Sequence, residues 1–294
     1  MSEFYTTREL AALLRVKERK IYDLVSKELL PFRRVTGKLL FPREEIARWL
    51  QVEGEARPMT EPAQASPRHI PLVAAGGHDP LLEWALRESR SGIAGFFDGA
   101  LDGLARAEVG ACVVAGLHIP EAEGWNLGAV KEKFAGRPWV LIEWARRRRG
   151  LIFRPDAARR IDSLQAARGL RFQLRQAEAG SELVLDRLLA AEKMKRADLR
   201  LVPAIERSET DLALAIADER ADVGLGIAAA ARQFKLEFTP MIEERFDLLV
   251  LRQAYFDPPF QKLLALCRSD AFRDKARALG GYDISGFETV RFNG

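Results

Sequence analysis

Between Glu53 and Arg68 the chain reads EGEARPMTEPAQASPR, with prolines at Pro58, Pro62 and Pro67 and no apolar periodicity. Such a stretch can form neither a helix face nor a strand face, so it acts as a linker that divides the 294 residues into two bodies. The bodies differ sharply in charge. Residues 1–52 hold 11 Lys and Arg against 7 Asp and Glu, so the formal +4 of the whole chain lies there; the remainder balances at 35 against 35. An excess of positive charge confined to one short segment is what contact with a polyanion requires. We therefore expect a small domain over 1–52, a linker over 53–69 and a large domain over 70–294, in keeping with the usual size of domains.

The 48% of hydrophobic residues is enough for a large core, yet no run approaches the roughly 18 continuous apolar residues of a membrane span. The opening MSEFYTTREL has no basic region followed by an apolar stretch, so a cytoplasmic location with no membrane partner is expected. Cys112 and Cys267 each lie in apolar segments and are read as reduced core residues.

In the first body, Thr6 and Glu9 have the spacing of a capping box ahead of a short helix with Leu10, Ala11, Leu13 and Leu14. After a tight break at Arg15 and Val16, a second helix runs from about Lys17 to Ser26. There Ile21, Leu24 and Val25 share a face and turn Arg19, Lys20, Tyr22 and Asp23 outward or to the flanks. Two short helices so arranged form a helix-turn-helix. Next, Pro31–Val35 and Lys38–Phe41 flank Thr36-Gly37, a two-residue hairpin turn, and this wing carries Arg33, Arg34 and Lys38. A closing helix over Pro42–Leu50 has Pro42 near its first turn. A helix with an outward basic face beside a basic hairpin supplies one element for the major groove and another for the backbone of double-stranded DNA. The expected contacts are Lys17, Arg19, Lys20, Tyr22, Arg33, Arg34 and Lys38. The segment TTRELAALLRVKERKIYDLVSKELLPFRRVTGKLLFPREEIARWL resembles the excisionase-type, MerR-like winged helix-turn-helix family, apart from Lys17 where a small capping residue is common.

The second body alternates short apolar runs with helical patterns, which argues an α/β fold. Ile70–Ala75 reads as a strand, Gly76-Gly77-His78-Asp79-Pro80 as its loop, and Leu81, Leu82, Trp84 and Leu86 as a helix. Gly92–Phe97 precedes Asp98-Gly99-Ala100 and a further helix; Ala111–Ala115 precedes Gly116-Leu117-His118; Ala179-Gly180-Ser181 opens a helix with Ser181 as its N-cap. In open α/β sheets, ligands bind beyond the carboxyl ends of strands, and helix N-termini there attract anions. Gly77, His78, Asp79, Asp98, Gly99, Ala100, His118, Gly180 and Ser181 are therefore the candidate ligand contacts, although each His or Asp could equally cap a helix or tie down a loop. No metal-ligand spacing is present, so neither a metal site nor a catalytic residue is expected.

Arg146 to Arg149 form the longest basic run. A second nucleic-acid patch is one reading; a solvated loop after a strand over Val140–Trp144 is preferred because the body as a whole is neutral. Trp125-Asn126 either lines the cleft or packs a loop.

This body also resembles a known family. GGHDPLLEWALRES, FDGALDGL, VVAGLHIP, WARRRRGLIF, RQAEAGSELVLDRLL, ERADVGLGIAAAARQFKLEFTPMIEERFDLLV and GGYDISG look like the solute-binding-protein-like sensor domain that follows a helix-turn-helix in bacterial regulators, itself similar to periplasmic molybdate and tungstate binders. The resemblance implies a type II periplasmic-binding-protein-like fold with two lobes, the first over about 70–150 and 245–294 and the second over about 151–244. It implies a bound oxyanion such as molybdate or tungstate, with no other cofactor. Oxyanion-binding relatives offer a serine hydroxyl from each of the first two loops, where this chain has Gly77 and Ala100. The expected function is a ligand-responsive transcription regulator acting as a homodimer or higher homo-oligomer, since one winged domain reads few base pairs. The alternatives are an intracellular solute carrier and an enzyme using His78 with Asp79 or Asp98; no nucleophile elbow, Walker loop or paired-carboxylate motif supports the latter.

Overall fold

The computed structural model describes residues 4–14, 16–26, 30–35, 38–53, 70–157 and 161–294. The hairpin turn Thr36-Gly37, Arg15 in the expected break, and the linker beyond Glu53 lie outside the described residues. The chain divides into two compact units, residues 1–67 and 68–294.

The first unit runs β1 (Phe4–Thr6), α1 (Thr7–Leu13), α2 (Glu18–Ser26), β2 (Arg33–Val35), β3 (Lys38–Pro42) and α3 (Arg43–Glu53). Thr6 caps α1: its hydroxyl accepts from the Glu9 N–H while Glu9 accepts from the Thr6 N–H at 2.8 Å, the reciprocal box its spacing predicts. Leu10, Ala11, Ile21, Val25, Leu30, Phe41 and Ile46 form the core. Strands β2 and β3 pair antiparallel up to Val35 and Lys38, so the wing is present. The sheet gains a third strand the pattern does not announce, because β1 pairs with β3. Pro42 ends β3 opposite Phe4 and so stands just ahead of α3 rather than within its first turn.

The second unit is α/β. Its first half contains β4 (Val73–Gly76), α4 (Pro80–Glu88), β5 (Ala94–Phe96), α5 (Ala100–Glu108), β6 (Val114–Leu117), α6 (Leu127–Phe134) and β7 (Trp139–Phe153). There follow β8 (Arg171–Arg175), α7 (Gly180–Ala191), a 3-10 turn, β9 (Arg200–Glu206), α8 (Glu209–Ala217), β10 (Val223–Ile227), α9 (Ala228–Gln233) and β11 (Glu237–Leu251). The chain closes with α10 (Arg252–Phe256), α11 (Pro258–Cys267), α12 (Asp270–Leu279), β12 (Tyr282–Asp283) and β13 (Val290–Asn293). Strand order is β5-β4-β6-β11-β7-β10-β8-β9. Parallel β5-β4-β6 belong to one lobe and parallel β9-β8-β10 to the other. Each lobe has its own apolar cores, with Leu81, Trp144, Phe260 and Phe272 in the first and Phe172, Val184, Leu185 and Leu212 in the second. Cys112 and Cys267 are free and buried, and burial pushes the Cys112 thiol up to about 12. Among the described residues no helix is long and apolar enough to cross a membrane.

The two lobes share β7 and β11, which pair antiparallel from Trp139–Leu251 to Phe153–Glu237. This corrects the reading of Arg146–Arg149 as a solvated loop. The basic run is the middle of a fifteen-residue strand, and its side chains alternate as strand geometry demands: Arg146 and Arg148 face solvent while Arg147 and Arg149 are buried.

Buried guanidinium groups need partners, because taking a charge out of water costs several kcal/mol even after relaxation. Here the partners form a chain of alternating sign. Arg147 donates to Asp79 Oδ2 at 2.9 Å and to Glu244; Arg149 donates to Glu244 at 2.7 Å and to Glu209 at 2.8 Å; Arg175 lies 3.0 Å from Glu209. Asp79 belongs to the first lobe, Arg147, Arg149 and Glu244 to the shared strands, and Glu209 and Arg175 to the second lobe. Burial alone would raise the Glu209 carboxyl, but Arg149 and Arg175 outweigh it and bring it from 4.5 to about 2. Burial likewise opposes ionisation of Glu244, and Arg147 and Arg149 hold it well below the carboxylate range. A carboxyl whose folded value is depressed stabilises the protein above its ordinary value and loses that contribution as pH falls toward the folded one. Denaturant stability of the wild type should therefore fall as pH drops from about 4.5 toward about 2. Glu209→Gln should be less stable at pH 7 by about 3–5 kcal/mol and show a flatter acid limb. A variant with the wild-type pH profile would remove Glu209 from the linkage.

Candidate functional site

The four loops expected to face a ligand meet where the two lobes come together. Gly77 N–H donates to Gly116 O at 2.8 Å, Gly99 N–H to Gly76 O at 3.0 Å, and Leu101 N–H crosses to Glu178 O of the second lobe at 3.0 Å. The glycines are dictated by this approach. A Cβ on Gly77 would lie 2.8 Å from the His118 ring, one on Gly180 2.5 Å from His118 O, and one on Gly99 2.5 Å from the Glu178 backbone. Gly99 also has φ +112°, a conformation other residues rarely adopt. A side chain at Gly77 would thus meet the His118 ring and Phe246. Ala100 is the first residue of α5 and is fully buried.

His118 is buried, stacked on Phe246, with Nδ1 3.2 Å from Glu244 Oε2. Burial lowers its pKa despite Glu244, so the ring is neutral at pH 7 and the carboxylate neighbour selects the tautomer with hydrogen on Nδ1. His78 is fixed from both sides. Its Nδ1 accepts from the Glu209 N–H at 3.2 Å, which leaves Nε2 to donate to Glu83 at 3.2 Å. Asp98 pairs with Arg207 across the cleft.

Two assignments change in the structure. Asp79 faces no open space: its Oδ1 accepts from Leu82 N–H at 2.7 Å and Trp144 Nε1 at 3.1 Å, and its Oδ2 from Arg147 at 2.9 Å and Tyr282 hydroxyl at 2.7 Å. With these four donors in place it serves as N-cap of α4 and first link of the charge chain. Ser181 is not the N-cap of α7; Ala179 is. Ser181 sits in the first turn, buried, and among the described residues its hydroxyl has no hydrogen-bond partner. Asn126 packs a loop. Its side chain accepts from Ile119 N–H at 2.6 Å and donates to Asp247 at 2.8 Å, while Trp125 packs on the core of the second lobe. Burial raises that Asp247 carboxyl to about 6.

The side chains that pattern reading misses are Arg147, Arg149, Arg175, Glu209 and Glu244. A signal for the first two is present: the arginine run is flanked by apolar Val140–Trp144 and Leu151–Phe153 with no turn residue other than Gly150, which is what a strand passing through a buried polar centre looks like.

Two helix N-termini meet beside the cleft, each with an acidic residue in its first turn, Asp102 on α5 and Glu182 on α7. The N-termini of α5 and α7 abut, with Gly99 against Glu178 and Ala179, so two positive dipole ends point at one place. In this structure the Glu178 carbonyl lies between them.

In the first unit, Lys17, Arg19, Lys20 and Tyr22 are exposed on or just before α2. On the wing, Arg33 donates to Glu45 at 2.7 Å, whereas Arg34 is exposed and has no ionic partner among the described residues. The Lys38 side chain lies outside the described residues; its backbone closes the β2-β3 register opposite Val35.

Residues 83–268, more than half of the chain, match the model of the PBP superfamily domain, and residues 4–51 match that of a helix-turn-helix domain. Over 293 residues the chain is 24% identical to the uncharacterized protein YvgK of Bacillus subtilis (strain 168), covering 95% of this chain and 94% of that protein. A phosphate-bound substrate-binding protein from Clostridium perfringens superposes with a TM-score of 0.54 at 10% identity, covering 74% of this chain and 98% of that chain. The Synechocystis PCC6803 CcmR regulatory domain in complex with 2-PG gives a TM-score of 0.45 at 12% identity, covering 67% and 97%. Both matched domains resemble binding and regulatory modules rather than enzymes, and their pairing suggests a ligand-responsive regulator. With its two α/β lobes joined through β7 and β11, the chain belongs to the PBP superfamily and carries a helix-turn-helix domain at its N-terminus.

Proposed function

We propose that this protein is a DNA-binding transcription regulator of the cytoplasm whose two-lobed domain takes up a small oxyanion, with molybdate and tungstate the leading candidates. The observation that supports the ligand class is the meeting of the α5 and α7 N-termini beside the unpartnered Ser181 hydroxyl. Like-signed helix ends placed together favour an anion between them. When the cleft opens, the Leu101–Glu178 bond and the Asp98–Arg207 pair break, and the Leu101 amide and the Arg207 guanidinium become available to the incoming anion. Gly77 offers no hydroxyl, so Ser181 and the backbone amides take over the donor role that serines play in the relatives this chain resembles.

A ligand that binds one lobe arrangement better than another shifts their populations, and an operator-bound assembly reads that shift. The assembly is a homodimer or higher homo-oligomer, since symmetry doubles the few base pairs one winged unit reads. DNA contact falls to Lys17, Arg19, Lys20, Tyr22, Arg33, Arg34 and Lys38, with Arg34 better placed than Arg33, whose guanidinium already has Glu45.

Two measurements test this reading. Molybdate, tungstate, phosphate and sulfate are titrated in thermal unfolding; a saturable rise in Tm is expected for at least one, and Ser181→Ala should weaken it roughly tenfold, the scale of one hydrogen bond to a charged group. No stabilisation by any of the four would refute the ligand class. For DNA, Arg34→Ala combined with Lys38→Ala should lower duplex affinity and flatten its salt dependence by about 0.9 in slope for each phosphate no longer neutralised. An unchanged slope would exclude the wing from the interface.

A further inference from the structure

A cavity of about 600 Å³ opens between the lobes where α4 and α12 of the first meet α8 and α9 of the second. None of the nine candidate ligand contacts lines it. Its walls carry three cations, Arg87, Arg232 and Lys275, against one carboxylate, Glu83. Glu83 is already engaged: the His78 ring hydrogen-bonds it and lowers its pKa, and Arg87 stands 3.8 Å away. Arg232 and Lys275 have no carboxylate partner among the described residues. Lys275 instead lies over the Trp84 ring, 5.7 Å from its centroid, so a cation and an aromatic face point into one space.

Arg232 passes over the backbone at Gly280. Its Nη1 and Cδ lie 3.0 and 3.2 Å from where a Cβ of Gly280 would be, and Gly280 has φ +75°. Any larger residue there would displace the arginine. The following residues lead to the buried charge chain: Gly281 packs on Ala228, and Tyr282 donates to Asp79 at 2.7 Å. This accounts for the GGY of the terminal motif, which the cleft does not use.

We propose that this cavity is a second effector site, for an organic acid with a planar ring and more than one carboxylate. The excess of cations calls for anionic groups, and their placement on both lobes calls for more than one. The volume falls within the range that holds a ring-sized organic ligand and far exceeds what a tetrahedral oxyanion fills. Trp84 and Leu279 supply the apolar wall on which a ring lies. An occupant bonded to Arg87 or Lys275 on one lobe and Arg232 on the other ties the lobes together, so its binding is thermodynamically linked to the cleft equilibrium whatever the cleft ligand is.

The probe is benzene-1,3-dicarboxylate, added to the full-length protein and followed by tryptophan fluorescence and by Tm. Saturable binding with a change in tryptophan emission is expected. Trp84→Phe should abolish that emission change while Tm still rises, and Arg232→Ala combined with Lys275→Ala should weaken binding at least tenfold without lowering the ligand-free Tm. Ser181→Ala should leave this affinity unchanged, which separates the site from the oxyanion reading. Absence of binding, binding insensitive to the double variant, or displacement by an equal concentration of inorganic phosphate would each overturn the proposal.

Discussion

The buried alternation Asp79–Arg147–Glu244–Arg149–Glu209–Arg175 is the constraint on which the rest of the second unit depends. Ion pairs out of water are poor sources of net stability, because desolvation offsets most of the attraction. A carboxylate or guanidinium left without its neighbour in that environment is strongly unfavourable, so arrangements that keep every link are favoured over those that break one. Three positive and three negative groups close the series without a surplus. The buried chain therefore contributes no net formal charge of its own beside the cleft.

That division explains why the lobes are joined as they are. Strands β7 and β11 pass unbroken through both lobes, and the three central links of the charge chain stand on them. Their pairing shifts register between Pro240 and Ile242 and between Phe246 and Asp247. Such irregularities bend a ladder locally and bracket the segment that carries Glu244. Phe246, at one of these shifts, packs against both the His118 ring and the Arg147 guanidinium, so one side chain touches the cleft loop and the charge chain together.

Much of the architecture is legible from pattern: the helix-turn-helix and wing, the α/β alternation and the convergence of loops at 76–79, 98–100, 116–118 and 179–181 all follow from periodicity and glycine placement. Element edges differ by one to three residues, as with β4 and β6, where the apolar run begins three residues before the paired segment. The charge chain is not legible. Its members lie up to 165 residues apart between Asp79 and Glu244; β7–β11 pairing brings Arg147, Arg149 and Glu244 together, and the packing of both lobes on these strands adds the rest. A run of four arginines viewed locally looks solvated; only when it is placed on a strand buried on one face does its alternation acquire meaning. Asp79 reads as a ligand contact for the same reason, since the donors that saturate it come from Trp144, Arg147 and Tyr282, all distant in sequence.

The distribution of charge gives the two units different tasks. In the second unit many arginines are committed to carboxylates, including the buried three, so its nearly balanced cations and anions largely cancel at short range. Fields from such pairs decay within a Debye length of about 8–10 Å at ordinary ionic strength. The first unit instead keeps Lys17, Arg19, Lys20 and Arg34 exposed on a small body. A polyanion meeting the molecule thus finds its uncommitted cations on the helix-turn-helix, whereas in the second unit much of the positive charge is already paired.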